Sequence, residues 1–363
     1  MAFDVWLENR TPFATATHVQ LNADGQETLV VMLSASFAAT GEGKEFQPAT
    51  EQMPVTFGDE PFGNPSLSSI RYEADIAPIK PGAEVIVNGA AHAPNGKPVR
   101  EMQVGLRVGS SIRKVLQVVG DRIYDSGRYS APAPFRTMPI VYERAYGGTL
   151  EDLRTDQRNP VGVGFHNARS ADPAVRTEAP NVMYPGEAQA RPGESLRPAG
   201  FGTIGRGWRP RLAFAGTYDK AWLETQWPLA PKDFDTRHYM CAPADQQLAG
   251  IGDGEDITVI GMTASGRWDF RVPRITAPLR LIYDDRVEEN AFKPDTVLIE
   301  PDLKRVTLKA RLAVVIRRNV PALREIAFGH ISPVWINARR KRKLYLNLLG
   351  GDGTLRDRPA WQP

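Results

Sequence analysis

The sequence predicts a mainly β protein, built from antiparallel β-sandwich units with an internal pseudo-repeat and few short helices. Three observations carry this. Gly 32 and Pro 30 together make up about 17% of the 363 residues, against roughly 12% in an average chain, which disfavours long helices, helical bundles and coiled coils. Several segments alternate apolar and polar residues with period two. Short turns such as Pro94-Asn95-Gly96 and Ser265-Gly266 divide them, as in antiparallel sandwiches. Hydrophobic residues at 42% and charged residues at 24% are ordinary globular values.

The strands can be read in order. Segments 28–37 and 84–88 are apolar and bounded by turns. In 99–108, Met102, Val104, Leu106 and Val108 face one way, and 112–119 follows after a turn. Shorter candidates are 257–261, 268–272, 279–283 and 296–300. In 306–316, Val306, Leu308, Ala310, Leu312, Val314 and Ile316 share one face, while Thr307, Lys309 and Arg311 take the other. Two segments read as helical. One is 219–224, with Asp219 as a cap. The other is 321–327, with Pro321 suited to a first turn.

These elements suggest three parts. An N-terminal β unit covers 1–130, and a C-terminal β unit with a basic tail covers 251–350. Between them lies 131–250, rich in Gly and Pro but also in Trp, Tyr and Phe. Disordered linkers lack such aromatics, so this part is expected to be ordered irregular structure packed on both units. Loops of this length usually bind something. The repeat is suggested by SSIRYEADIAP (68–78) and DTRHYMCAPADQ (235–246), each followed by a Glu-initiated strand, a Gly turn and an alternating strand.

A net charge of +3 is too balanced to argue for nucleic acid. The run Arg339-Arg340-Lys341-Arg342-Lys343 reads as a solvated or acidic-partner-facing edge. One cysteine, Cys241, rules out an internal disulfide framework and a Cys-built zinc site. The opening MAFDVWLENR is not a secretory signal, and no stretch is apolar enough to span a membrane. A cytoplasmic location without membrane insertion is the expectation.

No chemical motif survives its context. Gly200-Phe-Gly202-Thr-Ile-Gly205 matches a dinucleotide pattern, but Pro198 before it and Pro210 after it replace the required strand and helix. His238 and Cys241 sit three residues apart in a possible strand, on opposite faces, which favours a buried structural thiol. The five histidines show no zincin spacing. Asp233, Asp235 and Asp245 near Arg237 suit general acid–base work, but adjacent arginines more simply suggest ion pairs fixing a loop. No cofactor or metal is expected.

Six blocks occur in order: YERAYGG (142–148), NPVGVGF (159–165), GFG followed by WRPR (200–211), GTYD followed by Trp222, DFD (233–235) and APADQ (242–246). Together they resemble a bacterial domain-of-unknown-function family encoded in type VI secretion clusters, over roughly 20–320. The resemblance implies a non-enzymatic adaptor or chaperone. Such a protein binds a secreted effector and helps load it onto the VgrG spike and its PAAR tip. Where the family has a Leu-Pro-Asn-x-Glu-like run, this chain has Ala179-Pro180-Asn181-Val182-Met183. Candidate partner anchors, by composition, are Tyr142, Arg144, Tyr146, Phe165, Phe201, Trp208, Arg211, Tyr218, Trp222 and Arg237. The same residues could equally hold the loops together. A carboxylate-dependent hydrolase and a structural component of the secretion apparatus are the alternatives.

Overall fold

The computed structural model describes residues 5–41, 43–125, 128–165, 177–189, 194–316, 322–341 and 343. It is mainly β, with several largely antiparallel sheets and only short helices. The longer strands, in chain order, are β1 (Trp6–Asn9), β2 (Ala14–Leu21), β3 (Glu27–Thr40), β4 (Ala83–Val87), β5 (Glu101–Val108), β6 (Ile112–Val119), β7 (Asp256–Ile260), β8 (Arg267–Arg271), β9 (Leu279–Tyr283), β10 (Val287–Asn290), β11 (Pro294–Glu300), β12 (Arg305–Val315) and β13 (Leu323–Phe328). The helices are α1 (Arg209–Leu212), α2 (Lys220–Thr225) and α3 (Pro333–Arg340). No described helix is long and apolar enough to cross a membrane.

The chain divides into two compact units. The larger, Pro12–Ile275 with Phe292–Ile316, holds a seven-stranded sheet. Its order is Gln247–Leu248, β4, β11, β12, β3, β2, with Glu45–Pro48 also on β3. A five-stranded sheet in the same unit runs Val182–Met183, β6, β5, β7, β8. The smaller unit carries β1, β13, β9 and β10 in one sheet, with α3. There Arg339 pairs with Glu325 and Arg340 donates to the Asp285 carbonyl at 3.2 Å, so the described start of the basic run is engaged within its own unit. Arg342 lies outside the described residues.

Strands from 1–130 and 251–350 interleave in both large sheets. β4 pairs parallel to β11, β3 pairs with β12 over eleven positions, and β5 pairs with β7. The two β parts expected on either side of 131–250 are therefore not separate units. The pseudo-repeat fails for the same reason. In its second copy β7 and β8 form a hairpin, whereas in the first β4 and β5 lie in different sheets. Local similarity of strand–turn–strand segments says nothing about which distant strand each one pairs with.

The helix expected over 321–327 does not form in its described residues, and Pro321 lies outside them. Residues Leu323–Phe328 form β13 instead of a helix. Pairing on both sides, to β1 and β9, overrides the local helix preference. The other expected helix stands as α2, where the Asp219 carboxylate accepts the Trp222 N–H at 2.8 Å.

Candidate functional site

The polar face of β12 is the first surprise. Thr307 and Lys309 are buried as completely as Val306 and Leu308 on the opposite face. Segment 53–80 lies across it and brings matching charges. Lys309 Nζ donates to both Asp75 oxygens at 2.8 and 2.9 Å, and Asp75 also accepts the Thr56 N–H at 2.9 Å. Arg311 pairs with Asp295 through two bonds of 2.6 and 3.0 Å.

Beside this layer, Glu84 on β4 is fully buried. One of its oxygens accepts the N–H groups of Cys241 and Ala242 at 2.7 and 2.8 Å. The other accepts the Cys241 thiol at 3.1 Å and pairs with Lys80, which also donates to Thr296 at 2.8 Å. Burial pushes the Glu84 carboxyl up, but Lys80 and the Ala242 N–H outweigh it and hold the group below its usual value. Burial also pushes the Cys241 thiol well up, helped by Glu73 and Glu84. The thiol is therefore protonated and not a nucleophile at neutral pH. His238 lies on a 3-10 turn (Thr236–Tyr239) and its Nδ1 faces the Arg211 carbonyl at 3.0 Å.

Four of the six blocks, 142–148, 159–165, 200–211 and 242–246, pack in this interior. Tyr142 is buried and meets Trp208 edge to face at 5.2 Å between ring centroids. Asn159 donates to the carbonyls of Tyr142 and Tyr146 at 2.8 and 3.0 Å. Gly148 has φ +119, and a Cβ there would lie 2.5 Å from the Gly162 carbonyl oxygen, so the glycine is required. Arg144 reaches Asp121 at 3.1 Å and Asn181 at 3.0 Å. Phe165 pairs its N–H with the Gly147 carbonyl at 3.0 Å. Arg211, buried, donates to Glu73 at 2.8 and 2.7 Å and to the carbonyls of His238 and Ile204. Phe201 is buried beneath Lys114, whose Nζ also donates to Asp245 and Gln246, both at 2.8 Å. Burial lowers the Lys114 ammonium to about 8 despite Asp245.

A cavity of about 30 Å³, lined in part by Lys80, Thr203, Cys241 and Lys309, has room for one or two waters. That is far below a small-molecule site. A more open groove of about 390 Å³ is lined by Phe37, Phe46, Val272, Pro273 and the rim residues Asp253, Arg271 and Arg274. Asp253 is its single carboxylate, so general acid–base chemistry between two carboxyls has no pair there. Among the described residues, no group of three His, Cys, Asp or Glu side chains is placed to hold a metal ion.

One stretch of 131–250 behaves differently. Residues 214–235 leave the body and return. At the base the Asp235 N–H bonds the Phe214 carbonyl at 3.0 Å. Asp233 accepts both the N–H and the hydroxyl of Thr217, at 3.0 and 2.8 Å. These two bonds hold its carboxyl below the usual range. Gly216, at φ +81, lets the chain turn where a Cβ would lie 2.9 Å from Asp233. Arg237 braces the base, paired to Asp235 and stacked over Phe214 at 4.2 Å. Within the loop, α2 is capped by Asp219, and Trp222 Nε1 donates to the Leu229 carbonyl at 2.9 Å.

The loop's apolar side chains point outward. Tyr218, Leu223 and Trp227 are 57, 59 and 66% exposed, with Leu212 at the nearby end of α1 also exposed. Tyr218 and Trp222 meet edge to face at 4.7 Å. Of the ten residues singled out as anchors, Tyr142, Tyr146, Phe201 and Arg211 are buried within the fold. Arg144, Phe165 and Trp208 are half-buried in the block packing. Tyr218, Trp222 and Arg237 lie on or beside the loop. Leu223 and Trp227 were missed by sequence reasoning, although WLETQW spaces them four apart, one on α2 and one just past its end. The three carboxylates considered for hydrolysis do not converge. Asp233 holds Thr217, Asp235 holds Arg237, and Asp245 holds Lys114 and Tyr184.

No curated protein and no solved structure matches the chain. A family model described as an uncharacterized protein conserved in bacteria, DUF2169, matches residues 24–311, and the chain belongs to that family.

Proposed function

We propose that this protein is a non-enzymatic adaptor that binds another protein through the 214–235 loop. In this reading it is the chaperone of a type VI secretion effector, held in the cytoplasm until the effector is loaded onto the VgrG spike and PAAR tip. The observation that carries the binding role is the exposure of Tyr218, Leu223 and Trp227 on a loop clasped at its base by Thr217–Asp233. Large apolar side chains in water oppose solubility unless something covers them. Rigid aromatics lose little entropy on binding, and the clasp and cap remove further freedom before the partner arrives. The carboxylates that a hydrolase would need are each committed to a separate structural partner. The assignment to secretion rests on the six sequence blocks.

The test is co-expression with the product of the neighbouring gene in a secretion cluster. The adaptor reading predicts that the effector becomes soluble and co-purifies only when this chain is present. Effector solubility and recovery that are the same without it would end the reading.

A further inference from the structure

The two large sheets have four ends, and three of them are blunted. The seven-stranded sheet closes at one end on the two-residue strand Gln247–Leu248. The five-stranded sheet closes at one end on the two-residue strand Val182–Met183. Its other end is β8, whose sequence RWDFR is charged, with Arg267 paired to Asp269 and Arg271 to Asp256. Very short edge strands and edge charges are devices by which sheets avoid recruiting another strand.

The fourth end, β2, carries none of them. It is eight residues long, ATATHVQL, with no Asp, Glu, Lys, Arg or Pro. Its register on β3 runs unbroken from Ala14 opposite Ser34 to Leu21 opposite Glu27, so no bulge twists it away. Among the described residues β3 is its sole strand partner. Alternate N–H and C=O groups along one side of β2 therefore point away from the sheet without a ladder. Two of its apolar side chains, Val19 and Leu21, are exposed.

We propose that β2 is a strand-pairing surface whose occupant is β2 of a second copy of this chain. The pairing would join two seven-stranded sheets into one continuous sheet across a two-fold axis. Only an extended backbone satisfies a row of alternating donors and acceptors. No Asp, Glu, Lys or Arg along 14–21 selects a foreign sequence, and the strand lies antiparallel to itself with His18 as the sole titratable side chain to face its own kind. A two-fold axis perpendicular to the sheet brings like faces together. A register centred on His18 sets Thr17 against the second copy's Val19, and Thr15 against its Leu21. These are β-branched and apolar pairs of the kind that suit neighbouring strands.

Light scattering across a dilution series tests this. The expected result is a particle of twice the 40.1 kDa chain mass that dissociates on dilution, because a single strand pair buries a small interface. Thr17→Pro removes a backbone donor and should give a monomer at every concentration, with an unchanged circular dichroism spectrum. If that variant misfolds, Val19→Lys replaces an exposed side chain and should weaken association by about tenfold through like charges at the new seam. Arg267→Ala on β8 should leave the mass unchanged. A wild-type chain that stays monomeric up to about 100 μM, where micromolar pairing would be populated, overturns the proposal. So does a dimer that neither Thr17→Pro nor Val19→Lys weakens, or a monomer whose β2 pairs only with an effector segment.

Discussion

The charged layer around Glu84 and the loop at 214–235 are built from the same residue types, arginines, carboxylates and aromatics, and use them in opposite ways. In the interior the charged groups close on one another, while Asn159 Oδ1 and Thr203 Oγ1 stay unpaired. Arg211 closes on Glu73, Lys309 on Asp75, and Lys80 on Glu84, and the rings of Tyr142 and Trp208 pack against each other. In the loop the polar groups are also met, Asp233 by Thr217 and Asp235 by Arg237, but the aromatics face water. The difference teaches that an arginine or tryptophan in a family block is no sign of a binding site by itself. What distinguishes the loop is apolar surface left over once its polar atoms are satisfied.

Four substitutions separate the two regions, the interior ones acting on stability and the loop ones on binding. The largest effect belongs to Glu84→Ala. It strands the Lys80 ammonium and two backbone N–H groups in the interior, and removing one partner of a buried pair costs roughly 3–5 kcal/mol. Chemical denaturation of the soluble protein measures it, and a loss below about 1 kcal/mol would show that the layer is not structural. Arg211→Ala should follow at roughly 2–4 kcal/mol, since it opens Glu73 and two buried carbonyls together. The loop variant Tyr218→Ala/Leu223→Ala/Trp227→Ala should do the reverse. Stability should change by about 0.5 kcal/mol or less per site, as for ordinary surface positions, while effector affinity falls about 30-fold or more. Asp233→Ala, which opens the clasp, should have the smallest effect, roughly a three- to tenfold loss of affinity through a less ordered loop.

A pH dependence separates the two regions in another way. The native Glu84 carboxyl sits below its usual 4.5. A depressed carboxylate stabilises the fold above that unfolded value, and its contribution is lost as pH falls through the lower native value. The melting temperature of the wild type should therefore fall more steeply below about pH 4.5 than that of Glu84→Gln. Parallel curves would show that Glu84 contributes nothing to acid stability.

Much of the fold was legible because it is local. Period-two alternation located 99–108 and 306–316, and the Asp219 cap located α2. What was not legible depends on distant partners. Nothing in PALREIA announces that β1 and β9 will flank it, and nothing in Lys309 or Arg311 announces that Asp75 and Asp295 will neutralise a buried face. The same limit applied to the site. The blocks singled out ten residues, and burial divided them into packing and surface. The exposure of Trp227 was not legible because it is set by the loop's clasped base, sixteen residues of separation bridged by Thr217 and Asp233.

If the clasped loop binds the partner and the interior around Glu84 and Arg211 holds the fold, binding and stability separate under mutation. The most direct measurement compares effector co-purification and melting temperature for the wild type and the Tyr218→Ala/Leu223→Ala/Trp227→Ala variant. The account predicts an unchanged melting temperature and loss of the effector. An effector retained by the variant at wild-type affinity, or lost only together with the folded state, would contradict it.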